Sequence, residues 1–383
     1  MCKGTILYVG AFELPDKDAA AHRVLNNAKA FKELGYNVVF IDVDRGEKNK
    51  DYIIKNKKNI GFDCWSRKFP KNIFEWIKYL IGIKELKEII LEYKNVKAVI
   101  CYNYQAIALA RLNKYCSKNN IKVISDCTEW YEDNRIIKKI DTILRMKYIN
   151  KSIDGVICIS SYLEKYYKNS VKTLVIPPLV DLQEEKWKLN PKIISSDKVN
   201  FVYSGTPGKH KDKLNYIIEN LSKLNNSNYI FTIIGIDKKK YLEYYPEHIK
   251  LLNNIEDKVK FLGRISHEES IKYVKGADYV VFIRENKRVN NAGFPTKFVE
   301  SISCGTPVVT TRTSDLDKYL QNGENGFFIN IEDNNEIVVI LNNILNKSKE
   351  DIIKMKEICI NSKKFYYKNY VSDFEFFLSK VLK

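Results

Sequence analysis

Two successive runs of apolar strands alternating with amphipathic helices constrain this chain more than any other feature. TILYVG, NVVFIDV, KAVICY, KVISDC, GVICIS and TLVIP are short, almost continuously apolar segments. Helical spacing fills the intervals between them, over about 19–34, 74–93, a stretch around Ala106 and Ala110, 134–152 and 161–168. Strands without in–out alternation are covered on both faces, and helical connections make them parallel. From residue 199 the pattern starts again with VNFVYSG, YIFTIIG, VKFLGRI and DYVVFI, and helices are expected over 214–224 and 268–276. The expected fold class is α/β, with two Rossmann-like, doubly wound parallel-sheet domains facing across a cleft. Ligands of such sheets sit beyond the carboxyl ends of the strands.

The alternation breaks at Pro177-Pro178, and the chain to about residue 198 is polar, with Pro191 and a Ser pair. The expected division is an N-terminal domain over 1–185, a linker over 186–198 and a C-terminal domain over 199–360. A helical segment follows over 361–383, and its return to the N-terminal domain is one option. No fixed-period repeat is present.

Composition narrows the partners. A net charge of +17 favours anionic ones: nucleotides, acidic lipid headgroups or nucleic acid. Lysines are spread rather than clustered and no nucleic-acid motif is found, so nucleic acid is not expected as a partner. Eight cysteines without C-x-x-C spacing read as buried reduced thiols, and four scattered histidines provide no metal-ligand spacing. No run of 18 apolar residues exists, so no transmembrane helix is expected. The start, MCKGTILYVGAFELPD, reads as a first strand rather than a signal peptide, because its apolar part is short and acidic residues follow. A cytoplasmic protein is expected. NRIIKKIDTILRMKYINK mixes basic and apolar residues at helical spacing, either to pack inward or to lie on an acidic bilayer at the inner face of the plasma membrane. In the second case Lys138, Lys139 and Arg145 would meet the lipid.

Candidate chemistry lies in the turns. NNAGFPTKFVESISCGTPVV runs from a turn into a short helix starting at Pro295-Thr296 and stopped by Gly305, then into a strand. The positive end of such a helix seats phosphate. Glu300 lies four residues after Thr296, on the face that looks back to that end, where a carboxylate would accept two hydrogen bonds from a ribose diol. In YSGTPGKHKDKLNY, Gly205 and Gly208 permit a tight turn, with Thr206 beside them. Lys209, Lys211 and Lys213 crowd a helix start, where cations oppose the macrodipole unless an anion is present. The FLGRI turn, with Arg264, would border a nucleotide base. In the first half, Gly10 opens a long loop of small residues that lacks G-x-G-x-x-G, which speaks against a nicotinamide dehydrogenase. Asp126 and Glu129, with Trp130, would offer carboxylates and an aromatic surface to a sugar.

Together AGFPTKFVESISCGTPVV, YSGTPGK, FLGRISHEE, ADYVVF and NGENGFFI resemble the C-terminal signature of glycosyltransferase family 4, and in the first half AFKELGYNVVF, SDCTEWYE, ICISSYL and VIPPLVD resemble its landmarks. The family comprises retaining enzymes of the GT-B fold, and the likeness is to members that build bacterial surface polysaccharide. The resemblance implies that Glu300 is the second glutamate of an E-x7-E motif and holds the donor ribose. It implies that Lys211, or its neighbour Lys209, meets the donor diphosphate, and that Gly293, Phe294 and Thr296 follow the donor sugar and phosphate. Ala292 stands where the family has its first glutamate, and Lys297 is the residue placed to fill that gap. Thr128-Glu129 stands where many members have His-Glu.

The activity so implied is transfer of a sugar from a nucleotide-diphosphate donor to a hydroxyl of a saccharide or lipid-linked saccharide. Retention would follow a front-side route, with lysines and a helix N-terminus stabilising the leaving group. No cofactor is implied beyond the nucleotide sugar as co-substrate, and no metal. Two other readings are carried: a nucleotide-sugar epimerase on the same fold, acting on the donor without an acceptor, and a non-catalytic basic protein that binds membrane or nucleic acid.

Overall fold

The computed structural model describes the chain except residues 1, 47–52, 57–60, 133–134, 189–196, 209–210 and 227; for 53, 54, 56 and 334 it describes the backbone alone. The chain forms two compact units. Unit 1 contains Met1–Val180, Ala292–Phe294 and Tyr366–Lys383, and unit 2 contains Asp181–Asn291 and Pro295–Phe365.

In unit 1, β1 (Gly4–Gly10) is buried along its whole length, as a strand covered on both faces must be. It pairs in parallel with β2 (Tyr36–Asp44), which sets Ile6 against Val38. Two further strands, β3 (Ile53–Asn56) and the polar β4 (Asp63–Lys68), extend that side. On the other side lie β5 (Val96–Tyr102), β6 (Lys122–Cys127), β7 (Gly155–Cys158) and β8 (Lys172–Val175). The order is β3-β4-β2-β1-β5-β6-β7-β8, and β3 alone runs antiparallel. The order reverses between β1 and β5. There Gly10 serves packing, because a Cβ would stand 2.8 Å from Cβ of Tyr102. The C-terminal helix Val371–Val381 covers the sheet of this unit. Gly155 admits it, since a Cβ there would come within 2.8 Å of the Phe377 ring. Phe31 and Phe374 meet edge to face at 4.8 Å, and the Tyr367 amide donates to the Val180 carbonyl at 3.0 Å.

Two expected helices differ in extent. The segment 74–93 is two helices, Ile73–Ile81 and Lys84–Glu92. The first is closed by the Gly82 amide, which donates to the Lys78 carbonyl at 2.6 Å before the chain leaves extended. The basic segment is a helix over Ile136–Lys147 followed by a 3-10 turn, Ile149–Lys151. Arg145 is not on its exposed face: it is 1% exposed, with its guanidinium over the Tyr131 ring and Nη1 donating to Asn103 Oδ1 at 3.3 Å.

In unit 2, β9 (Val199–Ser204), β10 (Tyr229–Ile234) and β11 (Val259–Gly263) lie on one side. β12 (Tyr279–Phe282), β13 (Val308–Thr310) and β14 (Gly326–Phe328) lie on the other. All are parallel, in the order β11-β10-β9-β12-β13-β14. Phe201 of β9 sits level with Phe231 and Tyr279 of its two neighbours. This sheet reverses between β9 and β12, and a cluster of buried charged side chains gathers at that reversal. Of the linker segment 186–198, residues 189–196 lie outside the described residues; Trp187, at the end of a 3-10 turn, is buried.

Candidate functional site

The loop after β9 carries Asp212 into the reversal point, where it is 1% exposed. Three groups converge on its carboxylate. Arg284, just beyond β12, contacts Oδ1 through Nε at 2.7 Å, and the Tyr203 hydroxyl at the end of β9 donates to Oδ2 at 2.7 Å. The ammonium of Lys297 forms an ion pair with the same Oδ2. Burial pushes the Asp212 carboxyl upward, but Lys297 and Arg284 prevail and hold it well below the usual carboxylate range. Burial, together with Arg284 and Lys211, draws the Lys297 ammonium down to about 8 against the pull of Asp212. Burial and the adjacent carboxylate keep Tyr203 a neutral donor. Thr311 holds Arg284 by accepting from its amide at 3.0 Å and donating to its carbonyl at 2.6 Å.

Lys297 belongs to the first turn of the helix Thr296–Ser303, whose N-cap is Pro295, with no side-chain cap. The expected limits hold here: Gly305 takes φ +75 immediately beyond the helix. The first-turn amides of such a helix lack partners from within it and favour negative charge. Lys297 also lies over the Tyr203 ring at 4.0 Å. Its Nζ is 3.3 Å from where a Gly205 Cβ would stand, at a glycine with φ +132. Gly235 stacks beneath, where a Cβ would be 2.2 Å from the Gly205 carbonyl oxygen, and its amide donates to the Gly263 carbonyl at 2.7 Å. Glycines thus bare the backbone at the carboxyl ends of β9, β10 and β11.

Among the remaining sequence candidates in unit 2, Lys211 is exposed and makes no hydrogen bond or ion pair among the described residues, and Lys209 lies outside them. Lys213 is neutralised by Glu285 at 3.2 Å. Thr206 and Arg264 are exposed, and Thr296 is half-buried. Glu300 is half-buried, with its Oε1 3.2 Å from Nε2 of His267. His267 opens the helix His267–Gly276, which is secured by a Ser266–Glu269 capping box. The sequence by itself does not single out His267, Asp212 or Arg284. SHEE announces the helix start, but nothing local links it to Glu300, 33 positions away. Ala292, Gly293 and Phe294 cluster with unit 1, where Ala292 is fully buried and Phe294 nearly so. Beside Arg284 a cavity of about 520 Å³ opens past β13 and β14, lined by Thr311, Arg312, Asn322, Asn330 and Glu336 among others.

In unit 1 the carboxylate of Asp126 is enclosed rather than offered outward. It is 0% exposed and bonds Arg23 through Nε at 3.0 Å and Nη2 at 2.8 Å. It also accepts from the Tyr8 hydroxyl. Arg23 Nη1 reaches on to the Ile176 carbonyl at 2.8 Å, which ties the first helix, β6 and the chain after β8 together. Thr128 is locked to Asn103 by Asn103 Nδ2–Oγ1 and Thr128 N–Oδ1 bonds of 2.6 and 3.1 Å. Glu129 is half-buried, and Trp130 packs edge-on to Tyr166 at 4.9 Å. All eight cysteines are free, and seven are buried. Among the described residues no group of three His, Cys, Asp or Glu is placed to hold a metal ion, and no helix is long and apolar enough to cross a membrane.

Residues 185–364 match the family model of glycosyl transferases group 1. An uncharacterized glycosyltransferase of Methanocaldococcus jannaschii, MJ1178, is 22% identical over 318 residues, which is 82% of this chain and 81% of that protein. Anabaena Alr3699/HepE, solved with UDP and glucose, superposes with a TM-score of 0.72 at 15% identity, covering 98% of this chain and 99% of that one. Sucrose-phosphate synthase of Thermosynechococcus elongatus superposes with a TM-score of 0.74 at 14% identity, covering 99% of both chains. The structural likeness establishes a two-domain α/β fold of the GT-B kind.

Proposed function

We propose that this chain, a glycosyltransferase of GT-B fold with a group 1 domain, moves a sugar from a nucleoside-diphosphate donor to a hydroxyl of a saccharide or lipid-linked saccharide, with retention at the anomeric carbon. Residues 1–185 would serve the acceptor and 199–360 the donor, with 186–198 as linker and 361–383 completing the first domain. The reading places the enzyme in family 4, in the synthesis of a surface glycan, in the cytoplasm and peripheral to an acidic membrane face.

One observation carries the reading. At the reversal point of unit 2, Lys297 and Arg284 outnumber the single carboxylate of Asp212, with Lys211 exposed nearby and an uncapped helix N-terminus beside them. Uncompensated positive charge next to bare glycine backbone suits a diphosphate. HepE was solved in complex with UDP and glucose, which supports a nucleotide ligand here. Glu300 would accept the ribose hydroxyls, oriented by His267. In the reaction the bond from the anomeric carbon to the diphosphate oxygen breaks, and the acceptor oxygen bonds to that carbon on the same face. The acceptor proton passes to the leaving diphosphate. Lys297, Lys211 and the amides at 296–297 would stabilise the charge that develops there, which is where fixed donors act most strongly.

The test is thermal unfolding with a panel of nucleoside diphosphates and nucleotide sugars, on wild type and Glu300→Ala. A ligand at 100 times its dissociation constant stabilises by about 2.7 kcal/mol. One nucleotide should raise the melting temperature, and Glu300→Ala should reduce that rise. No stabilisation by any nucleotide would end the proposal. Conversion of the donor alone, with no acceptor glycosylated, would replace it by epimerase chemistry.

A further inference from the structure

Three neighbouring helices of unit 1 leave large apolar side chains in water. Ile73–Ile81 packs on Ala106–Lys118, which packs on Ile136–Lys147. Arg111 Nη1 donates to the Ile81 carbonyl at 2.7 Å, and Asp141 accepts from the Ala106 amide at 2.8 Å, so hydrogen bonds join the three helices. On the first helix Ile73 and Phe74 are 65% and 75% exposed. Ile107 is exposed at the start of the second. On the third, Ile136, Ile137, Ile140 and Ile143 are all exposed, and their spacing of one, four and seven makes a single stripe. A lone exposed isoleucine needs no account, but such side chains gathered on adjoining helices mark an interaction face.

The charge around them selects the occupant. Lys71, Lys78, Arg135, Lys138, Lys139 and Lys147 are all exposed on or next to these helices. Of the acidic groups, Glu75 accepts from the Lys71 amide and pairs with Lys68, and Asp141 caps Ala106; Glu132 is exposed. A second copy docking face to face would bring two basic surfaces together. A polyanion would engage the lysines and leave the isoleucines wet. An anionic bilayer satisfies both, with apolar side chains entering the headgroup–acyl boundary and ammonium groups meeting lipid phosphates. We propose that this three-helix face of unit 1 docks on a bilayer containing anionic phospholipid. The inference deepens the membrane part of the proposed function and is independent of sugar transfer.

Co-sedimentation with vesicles of phosphatidylcholine alone and of phosphatidylcholine with phosphatidylglycerol tests it on the full chain. Wild type should bind the anionic vesicles and leave the neutral ones. Ile137→Ser with Ile140→Ser should weaken binding about tenfold or more, as expected for two apolar side chains withheld from the lipid boundary. Lys138→Glu with Lys139→Glu should weaken it at least as much, at about fivefold per lysine before reversal is counted. The altered side chains are exposed, so folding is preserved, and nucleotide-induced thermal shifts should match wild type. That second readout separates failure here from failure of the donor reading. Equal binding to neutral vesicles, binding untouched by both double variants, or no binding with a dimer that the isoleucine variant dissociates would each overturn the proposal.

Discussion

Asp212→Asn is the most informative perturbation, because one carboxylate holds two buried cations and one hydroxyl. In wild type Asp212 keeps a charged Lys297 tolerable inside unit 2 and anchors Arg284. The amide retains the shape and removes the charge. Breaking a buried pair from one side costs about 3–5 kcal/mol, because the remaining charge is left without compensation. The pH dependence identifies the cause. Lys297 already falls from 10.5 to about 8 with Asp212 beside it, which at 1.36 kcal/mol per pH unit makes its charge cost about 3 kcal/mol. Without Asp212 the ammonium falls further and sheds its proton below pH 8. For a lysine lowered by folding, the unfolded chain binds more protons between the two pKa values, so stability rises as pH passes from about 8 toward 10.5. In wild type that rise begins near pH 8; in Asp212→Asn it begins lower. The variant should therefore lose most stability near neutral pH and less at about pH 9.5, where Lys297 is neutral in both proteins. Urea unfolding at the two pH values measures the difference. A loss below about 1 kcal/mol, or one of equal size at both pH values, would refute the assignment of Asp212 as the partner that keeps Lys297 charged.

Two further substitutions probe the scaffold around the sites. Gly235→Ala should destabilise by about 2 kcal/mol or more, since the new methyl would meet the Gly205 carbonyl at 2.2 Å and φ is +104; thermal unfolding with normal stability would show that the Gly205 loop can yield. Arg23→Met should cost about 3–5 kcal/mol by leaving the Asp126 carboxylate buried with Tyr8 as its remaining side-chain partner among the described residues, and urea unfolding that matches wild type would remove that ion pair from the framework of unit 1.

Much of the fold could be read from local pattern. Apolar runs such as VNFVYS and YVVF are strands, and Pro295 and Gly305 bracket the helix between them. The polar strand Asp63–Lys68 was not legible, because its pairing with β2 comes from tertiary position rather than from an alternating face. The single helix expected over 74–93 failed at Gly82, where the absence of a Cβ lets the backbone close on the Lys78 carbonyl at once. Of the candidate site, Lys297, Glu300 and Gly205 stand out in the sequence because helix starts and tight turns have short-range signatures. The place of Asp126 at a strand end predicts an outward carboxylate, but Arg23, 103 positions earlier, encloses it.

What the sequence determines by itself is the set of pieces: which segments are covered on both faces, where helices begin and stop, and an excess of positive charge suited to an anionic partner. Those properties depend on residues within a few positions of one another. Only the tertiary structure decides which pieces meet. Asp212 joins Arg284 across 72 positions and Lys297 across 85 because β9 and β12, distant in the chain, are neighbours at the reversal of the sheet. The same holds for the exposed isoleucines that helix packing brings onto three neighbouring helices, and for Arg145, a surface residue by its charge but buried by the packing of its helix. Burial and pairing are properties of neighbours in space, and strand order, not local spacing, supplies those neighbours.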